Sequence, residues 1–197
     1  MNWETLACFG DSITIGARSY LGYPEYISSH LQEEIGNSWN VLNIAVSGFT
    51  ACDLQRKITA DSQTISIHDI SFFTLLIGTN DVKKSTPLPE FRIAYDLTVL
   101  KILLLCKHAN GVLISIPEFR KGLKYPYNFD MNTLVCEFNK VIFDIGQKYG
   151  LKVLNLDLED KDFFDGIHLN QQGSFQVASQ ISNHILNEKG LITVPCT

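Results

Sequence analysis

Residues 6–14 read LACFGDSIT, a short apolar run followed directly by Gly10-Asp11-Ser12. Runs of this length that end at a glycine are typical of buried β-strands. A helix is predicted next, at residues 23–35, because apolar side chains recur there with helical spacing. Pro24 lies in its first turn, where a missing N–H is harmless, and Gly36 ends it. The stretch predicts a strand, a polar loop and a helix in succession, with Ser12 where the strand ends.

The same alternation of short apolar runs and helical segments continues through the chain. Further strands are predicted at 41–46, 72–77, 112–116 and 152–156, and further helices from about 52 into the sixties, at 89–108, at 132–149 and at 170–188. In the helix at 89–108 the apolar positions are Phe91, Tyr95, Leu97, Leu100, Leu103 and Leu104. The pattern predicts a parallel sheet with helices on both faces, a three-layer, doubly wound α/β/α fold. We expect a single domain over residues 1–197, since no linker or repeat interrupts the pattern.

Composition narrows the classes of function. The formal charge of −5 argues against a nucleic-acid partner. The five cysteines are widely spaced and include no C-x-x-C pair, which argues against a disulfide framework or a zinc site and fits a reducing compartment. No apolar run approaches the roughly 20 residues that a membrane span needs, and residues 1–5 do not resemble a signal peptide. We therefore expect a cytoplasmic protein without membrane span, metal or cofactor.

The ends of the predicted strands carry the residues able to do chemistry. In a doubly wound sheet, ligands bind beyond the carboxyl ends of the strands. Four such ends carry glycines and polar side chains: Gly10-Asp11-Ser12, Ser47-Gly48, Gly78-Thr79-Asn80-Asp81 and Asp165-Gly166-Ile167-His168. We expect these segments to meet at one edge of the sheet.

The residue types match nucleophilic catalysis. A serine hydroxyl needs a base to take its proton, histidine is a suitable base near neutral pH, and a carboxylate on the other ring nitrogen fixes the tautomer. Ser12, His168 and Asp165 could fill these roles. The backbone N–H groups of Ser12 and Gly48 and the amide of Asn80 could stabilise an oxyanion, each donor contributing roughly 3–4 kcal/mol.

Each residue also has an ordinary structural interpretation. Ser12 could merely cap a helix, Gly48 could occupy a turn, Asn80 could form an Asx-turn, and Asp165 with His168 could be a surface ion pair. If all of them were correct, four unrelated structural features would have to occur by chance at four strand ends. The joint pattern therefore favours catalysis. The chain has neither G-x-G-x-x-G nor G-x-x-x-x-G-K-S/T, which argues against nucleotide binding. A catalytically silent binding module on the same fold remains an alternative.

The four segments resemble the blocks of the SGNH (GDSL-type) hydrolase family, in the family's order, from Gly10 to about residue 173. The first block has Ile13 where the family name has leucine. The resemblance implies a flavodoxin-like sheet of five strands and metal-free hydrolysis of esters or thioesters through an acyl-enzyme. It implies the following roles: Ser12 as nucleophile and oxyanion donor, Gly48 and Asn80 as further donors, and Asp165 and His168 as the rest of the triad.

The substrate is less constrained than the chemistry. The loop 117–131 follows the fourth predicted strand, and we expect it to wall the site with four aromatic side chains, Phe119, Tyr125, Tyr127 and Phe129. The alternative is a packed loop whose aromatics face the core. Segments 15–22 and 82–88 are expected to form the other walls. We expect a short acyl ester of a small soluble molecule, such as an acetylated sugar, with a lysophospholipase or thioesterase as the alternative. The pattern does not predict an oligomeric state.

Overall fold

A five-stranded parallel sheet in the order β2-β1-β3-β4-β5 forms the centre of the computed structural model, which describes residues 3–35 and 39–190. The strands are β1 (Glu4–Gly10), β2 (Trp39–Asn43), β3 (Phe72–Leu76), β4 (Asn110–Ile114) and β5 (Lys152–Leu154). The helices are α1 (Ser12–Ile15), α2 (Pro24–Ile35), α3 (Ala51–Ala60), α4 (Ser62–Ser66), α5 (Thr79–Lys83), α6 (Leu88–Leu105), α7 (Met131–Tyr149) and α8 (Gln171–Glu188), with a 3₁₀ turn at Asp160–Asp162.

Two apolar clusters cover the two faces of the sheet. Because successive strand residues point to opposite faces, β1 supplies Ala7 and Phe9 to the cluster under α3, α6 and α7, and Leu6 and Cys8 to the cluster under α2 and α8. Every residue of β3 is buried, as its continuous apolar run predicts. The predicted three-layer α/β/α fold with a doubly wound parallel sheet is confirmed.

The strand order determines at which edge of the sheet a ligand could bind. The connection from β1 crosses to β2 on one side, and the next crosses back to β3 on the other, so the direction of winding reverses between β1 and β3. A crevice opens where the winding reverses, beyond the carboxyl ends of these strands. The loops after β1 and β3, which contain Ser12 and Asn80, begin at this point.

Several element boundaries differ from the predictions. Strand β2 ends at Asn43, although the N–H groups of Ile44 and Val46 still donate to the Cys8 and Gly10 carbonyls, at 2.9 and 3.1 Å. The helix predicted from about 52 divides at Asp61 into α3 and α4. Gly150, with φ 68°, ends α7 as expected, whereas Gly36 lies outside the described residues.

Helix α6 has two apolar sides, and only one of them faces the sheet. Of the apolar positions that predicted this helix, Phe91 and Tyr95 are fully buried, whereas Leu97, Leu100 and Leu104 are exposed. The other fully buried residues of this helix are Thr98, Val99 and Ile102. Within the described residues, no helix is long and apolar enough to cross a membrane.

Candidate active site

The structure brings Ser12, His168 and Asp165 into one chain of hydrogen-bond distances. Ser12 Oγ lies 3.1 Å from His168 Nε2, and His168 Nδ1 lies 2.9 Å from Asp165 Oδ2. Ser12 is buried, and about a fifth of each of the other two side chains is exposed to solvent. With the imidazole proton on Nδ1, Nε2 is free to accept the hydroxyl proton of Ser12. This geometry allows proton transfer from the hydroxyl to a histidine whose tautomer is set by a carboxylate.

A sharp turn after β1 positions Ser12. Asp11 is the N-cap of α1, and its Oδ1 accepts a hydrogen bond from the N–H of Ile13 at 3.0 Å. Ser12 is therefore the first residue of the helix, and the capping role falls to Asp11. Gly10 is required at the end of β1, because a Cβ there would collide with the Thr14 side chain and the Leu76 carbonyl.

A tight turn holds Asp165 and His168 together. Asp165 Oδ1 accepts the N–H groups of Ile167 and His168, at 3.1 and 2.8 Å, which leaves Oδ2 for the imidazole. Gly166 has φ 82°, and a Cβ there would collide with the Arg120 carbonyl. Burial alone would raise the pKa of Asp165, but the hydrogen bonds from His168 outweigh it and hold the pKa below its usual value. The carboxylate is therefore ionised whenever the histidine works as a base.

The two further residues predicted as oxyanion donors, Gly48 and Asn80, lie in the loops after β2 and β3. Gly48 has φ 83°, and the N–H of the next residue, Phe49, donates to the Val46 carbonyl at 3.3 Å, which closes a turn with glycine in its third position. A Cβ on Gly48 would meet no atom, so this residue borders open space. The side chain of Asn80 donates from Nδ2 to the Phe49 carbonyl at 3.0 Å, which links the two loops.

Two buried carboxyls support these loops. Burial raises the pKa of Asp11 to about 7, with the nearby Asp81 adding to the shift. Burial also raises the pKa of Asp81 to about 6, and its Oδ2 accepts the N–H of Ala51 at 2.9 Å, which joins α5 to the start of α3. Asp11 Oδ2 lies 3.5 Å from Asn80 Nδ2, a distance at the limit of a hydrogen bond. Both carboxyls bond the backbone near the site rather than the histidine.

The four aromatic side chains of the loop 117–131 differ in how deeply they are buried. Phe119 is buried, and the side chain of Asn132 bonds both its N–H and its carbonyl, at 2.8 and 3.1 Å. Tyr127 is half-buried against Phe119 and close enough to Asp11 and Asp165 for their charges to add to the rise in its pKa, which burial dominates. Tyr125 and Phe129 are exposed to solvent.

Three residues near the triad were not among the predicted site residues. The Phe164 ring stacks on the imidazole of His168, with centroids 5.8 Å apart and planes at 18°. Tyr20 packs on Phe164 at 5.0 Å, and the guanidinium of Arg18 lies 4.9 Å from its ring centre. Tyr20 and Arg18 belong to the segment 15–22 that was expected to form a wall. The signal for Phe164 was its position immediately before Asp165, which places an aromatic ring next to a predicted catalytic block.

Titratable side chains in the described ranges do not gather into a metal site. No group of three or more His, Cys, Asp or Glu residues there is arranged to hold an ion. Cys8 is buried, and burial raises the pKa of its thiol to about 12, so it acts as a small apolar residue in the second cluster.

A doubly wound five-stranded sheet with a serine after β1, a glycine after β2 and an asparagine after β3 is the architecture of the SGNH hydrolases. Residues 8–174 match the model of the GDSL-like lipase/acylhydrolase family, and the chain belongs to this family. It is accordingly a carboxylic ester hydrolase. No curated protein is significantly similar to it in sequence.

Solved structures with low sequence identity share the fold. A carbohydrate acetylesterase from Sinorhizobium meliloti has a TM-score of 0.74 at 14% identity, over 94% of this chain and 99% of its own. A lipase/acylhydrolase from Enterococcus faecalis also has a TM-score of 0.74, at 20% identity, over 94% and 96%. An acetylxylan esterase from Geobacillus stearothermophilus has a TM-score of 0.66 at 22% identity, over 98% and 97%.

Proposed function

We propose that this chain hydrolyses short-acyl esters, acetyl esters above all, of a small soluble molecule such as a sugar, through an acyl-enzyme on Ser12. The observation that carries the proposal is the continuous hydrogen-bond geometry from Ser12 Oγ through the two ring nitrogens of His168 to Asp165 Oδ2. The reaction needs a nucleophile, a base and a group that orients the base, and these three side chains supply them in order.

Acylation begins when Ser12 Oγ attacks the ester carbonyl carbon and its proton passes to His168 Nε2. The carbonyl oxygen becomes an oxyanion, and the C–O bond to the alcohol then breaks while the alcohol oxygen takes the proton from Nε2. A water molecule next attacks the acyl carbon and gives its proton to the same nitrogen. Collapse of this second intermediate releases the carboxylic acid and returns the proton to Ser12 Oγ.

Asp165 serves the cycle without exchanging a proton. Its Oδ2 accepts the Nδ1–H of His168, so the lone pair on Nε2 points at Ser12 throughout. When the imidazole becomes protonated, the adjacent carboxylate stabilises the positive charge. The two backbone N–H groups on Oδ1 keep the carboxylate from rotating away.

The oxyanion is stabilised by the N–H groups of Ser12 and Gly48 and by the amide of Asn80. One N–H of the Asn80 amide is held by the Phe49 carbonyl at 3.0 Å, which fixes the plane of the amide. The contact of Nδ2 with Asp11 at 3.5 Å is long, so the second N–H is available to an oxyanion at little loss. Donors held in place before the reaction stabilise the transition state without reorganising.

The substrate class rests on the surroundings of the triad and on the relatives. The rings of Phe164, Tyr20 and Tyr127 flank the polar groups, and aromatic faces of this kind are suited to packing against a sugar ring. Two of the structurally similar proteins are described as a carbohydrate acetylesterase and an acetylxylan esterase, which supports an acetyl ester of a carbohydrate.

The test of the chemistry is the turnover of p-nitrophenyl acetate by the Ser12→Ala variant. We expect kcat to fall by about 10⁴-fold or more. Ser115→Ala is the matched control, since Ser115 is as buried as Ser12 and its hydroxyl only approaches the Leu154 carbonyl at 3.4 Å. Turnover that is unchanged in Ser12→Ala would exclude Ser12 as the nucleophile.

The test of the substrate is a series of p-nitrophenyl esters of increasing acyl length, followed by acetic acid release from acetylated sugars. We expect kcat/KM to be highest for acetate and to fall with chain length. A rise toward long chains would overturn the short-acyl assignment and favour a lysophospholipase or thioesterase, while leaving the role of Ser12 intact.

A further inference from the structure

The outward side of α6 carries an apolar stripe that the rest of the described chain covers only in part. Ile93, Leu97, Leu100 and Leu104 are between 38% and 62% exposed, although the opposite side of the same helix is fully buried against the sheet. The apolar side of a helix normally packs against another element. Single exposed leucines are common on protein surfaces, whereas a continuous apolar row indicates a contact surface.

The spacing of the four residues makes the stripe straight. They follow one another at intervals of four, three and four positions, the pattern by which one helix packs along another. The row is about 17 Å long at the rise of an α-helix. Ile67, which is 77% exposed, borders the same surface cleft as Leu104 and extends the apolar surface at that end.

Charged residues at the two ends of the stripe are left without partners. Glu90 lies one turn before Ile93, and Lys107 lies just beyond the end of α6; both are exposed. Within the described residues, neither forms an ion pair with another side chain of the chain. On one flank of the helix, Arg92 pairs with Asp144 and Asp96 pairs with Lys148, at 2.7 and 2.8 Å. On the other flank, Lys101 donates to the Thr59 hydroxyl.

We propose that a second copy of this chain docks on the stripe, with its α6 antiparallel to the first, to form a symmetric dimer. A two-fold axis through the point between Leu97 and Leu100 sets Leu97 against Leu100 of the second copy, and Ile93 against Leu104 of the second copy. The same axis brings Glu90 to Lys107 of the second copy at both ends. A two-fold interface requires a patch that complements itself, and this one does so in its apolar row and in its charges.

The self-complementarity is what selects a second copy over a different partner. An unrelated apolar partner would explain the leucines but not why an acidic and a basic residue flank the row at the same number of positions from its centre, Glu90 on one side and Lys107 on the other. The interface lies on the outer side of the α3–α6–α7 layer and uses none of the residues assigned to catalysis. The proposal is thus independent of the reaction that the site performs.

The first experiment is analytical ultracentrifugation of the full chain over a range of concentrations. We expect a reversible monomer–dimer equilibrium. Leu97→Asp places a charge at the centre of the interface and should raise the dissociation constant about a hundredfold or more. Ile15→Asp is the matched control, because Ile15 is an equally exposed apolar residue on another surface; its dimerisation should be unchanged. Circular dichroism and thermal unfolding establish that each variant folds.

The second experiment tests the antiparallel register through charge reversal. Glu90→Lys alone sets two lysines together at each end, and Lys107→Glu alone sets two glutamates together. Each should raise the dissociation constant by about tenfold or more. Mixing the two single variants restores both opposite-charge contacts, so the mixture should dimerise more tightly than either variant alone.

The outcomes are decisive in both directions. A wild-type chain that stays monomeric at every concentration would overturn the proposal, as would a dimer that Leu97→Asp leaves intact. A dimer that Leu97→Asp abolishes, but whose charge-reversal variants show no recovery on mixing, would overturn the antiparallel register. Recovery on mixing would establish both the surface and its orientation.

Discussion

The Asp165→Asn substitution tests how Asp165 sets the tautomer of His168 in the proposed triad, because the structure predicts how the new amide must orient. Asp165 Oδ1 accepts two backbone N–H groups, from Ile167 and His168, at 3.1 and 2.8 Å. Only the amide oxygen of asparagine can keep both bonds, so its NH₂ group must take the position of Oδ2. That group then donates to Nδ1 of His168, so the imidazole has to carry its own proton on Nε2 instead.

The expected loss of kcat follows from what the changed tautomer means for Ser12. An Nε2–H facing Ser12 Oγ at 3.1 Å cannot accept the hydroxyl proton, so the histidine is present in the wrong tautomer for a general base. Fixing the wrong tautomer costs about 10⁴-fold in kcat, or about 5.5 kcal/mol of transition-state stabilisation. The assay is steady-state hydrolysis of p-nitrophenyl acetate near neutral pH, with thermal unfolding recorded on the same samples.

The control is Asp165→Ala, which removes the carboxylate and also the acceptor of the two backbone N–H groups. Leaving these groups without a partner should lower the free energy of unfolding by about 1–3 kcal/mol, whereas Asp165→Asn should leave it nearly unchanged. A kcat of Asp165→Asn within tenfold of wild type would refute the tautomer argument. A large loss of stability in Asp165→Asn would refute the assigned orientation of the amide.

Three further predictions concern the donors, the buried carboxyl and the aromatic loop. Asn80→Ala should lower kcat for p-nitrophenyl acetate by about 10²–10³-fold with little change in KM; an effect on KM alone would place Asn80 in ground-state binding. Because burial raises the pKa of Asp11 to about 7 from 3.8, its contribution to the free energy of unfolding is present at low pH and is lost as the pH rises to about 7. Asp11→Asn should therefore lose less stability than wild type between about pH 4 and pH 7 in urea titrations, and equal losses would contradict the raised pKa. Tyr125→Ala removes a side chain that is 97% exposed and should change neither the unfolding free energy by more than about 0.5 kcal/mol nor kcat/KM for acetyl esters; a changed acyl-length profile would place Tyr125 against the substrate.

The sheet was predictable because a buried parallel strand leaves a simple trace in the sequence. β3 is buried throughout, and its apolar run was recognised within one residue of its observed end. The boundaries of the edge strands were harder to predict, because β2 and β5 are only partly buried and are shorter than their apolar runs indicated. In α6, two apolar rows share one helix, and periodicity alone cannot decide which row faces the sheet. That choice depends on how the helix packs, which is a property of the whole fold.

The candidate site was predictable to the extent that its residues stand at strand ends. The segment Asp165-Gly166-Ile167-His168 was expected to turn tightly, and the turn does bring the two side chains to 2.9 Å. The aromatic surroundings were not predictable in the same way. Phe119 turns inward because Asn132 holds its backbone from α7, and Phe164 meets His168 because of the turn between them. Both contacts depend on loop conformation, for which the sequence offers no periodic signal.

The distance along the chain between Ser12 and His168 has a consequence for synthesis on the ribosome. The two residues stand 156 positions apart, and α8, the last described helix, packs beside α2 through apolar residues shared with β1. At about 5–20 residues per second, the ribosome adds His168 about 8–30 s after Ser12, and during that time the nascent chain carries the hydroxyl without its base. Under the proposed mechanism, ester cleavage therefore cannot begin before β5 has joined the sheet and the loop that follows it has brought His168 to Ser12.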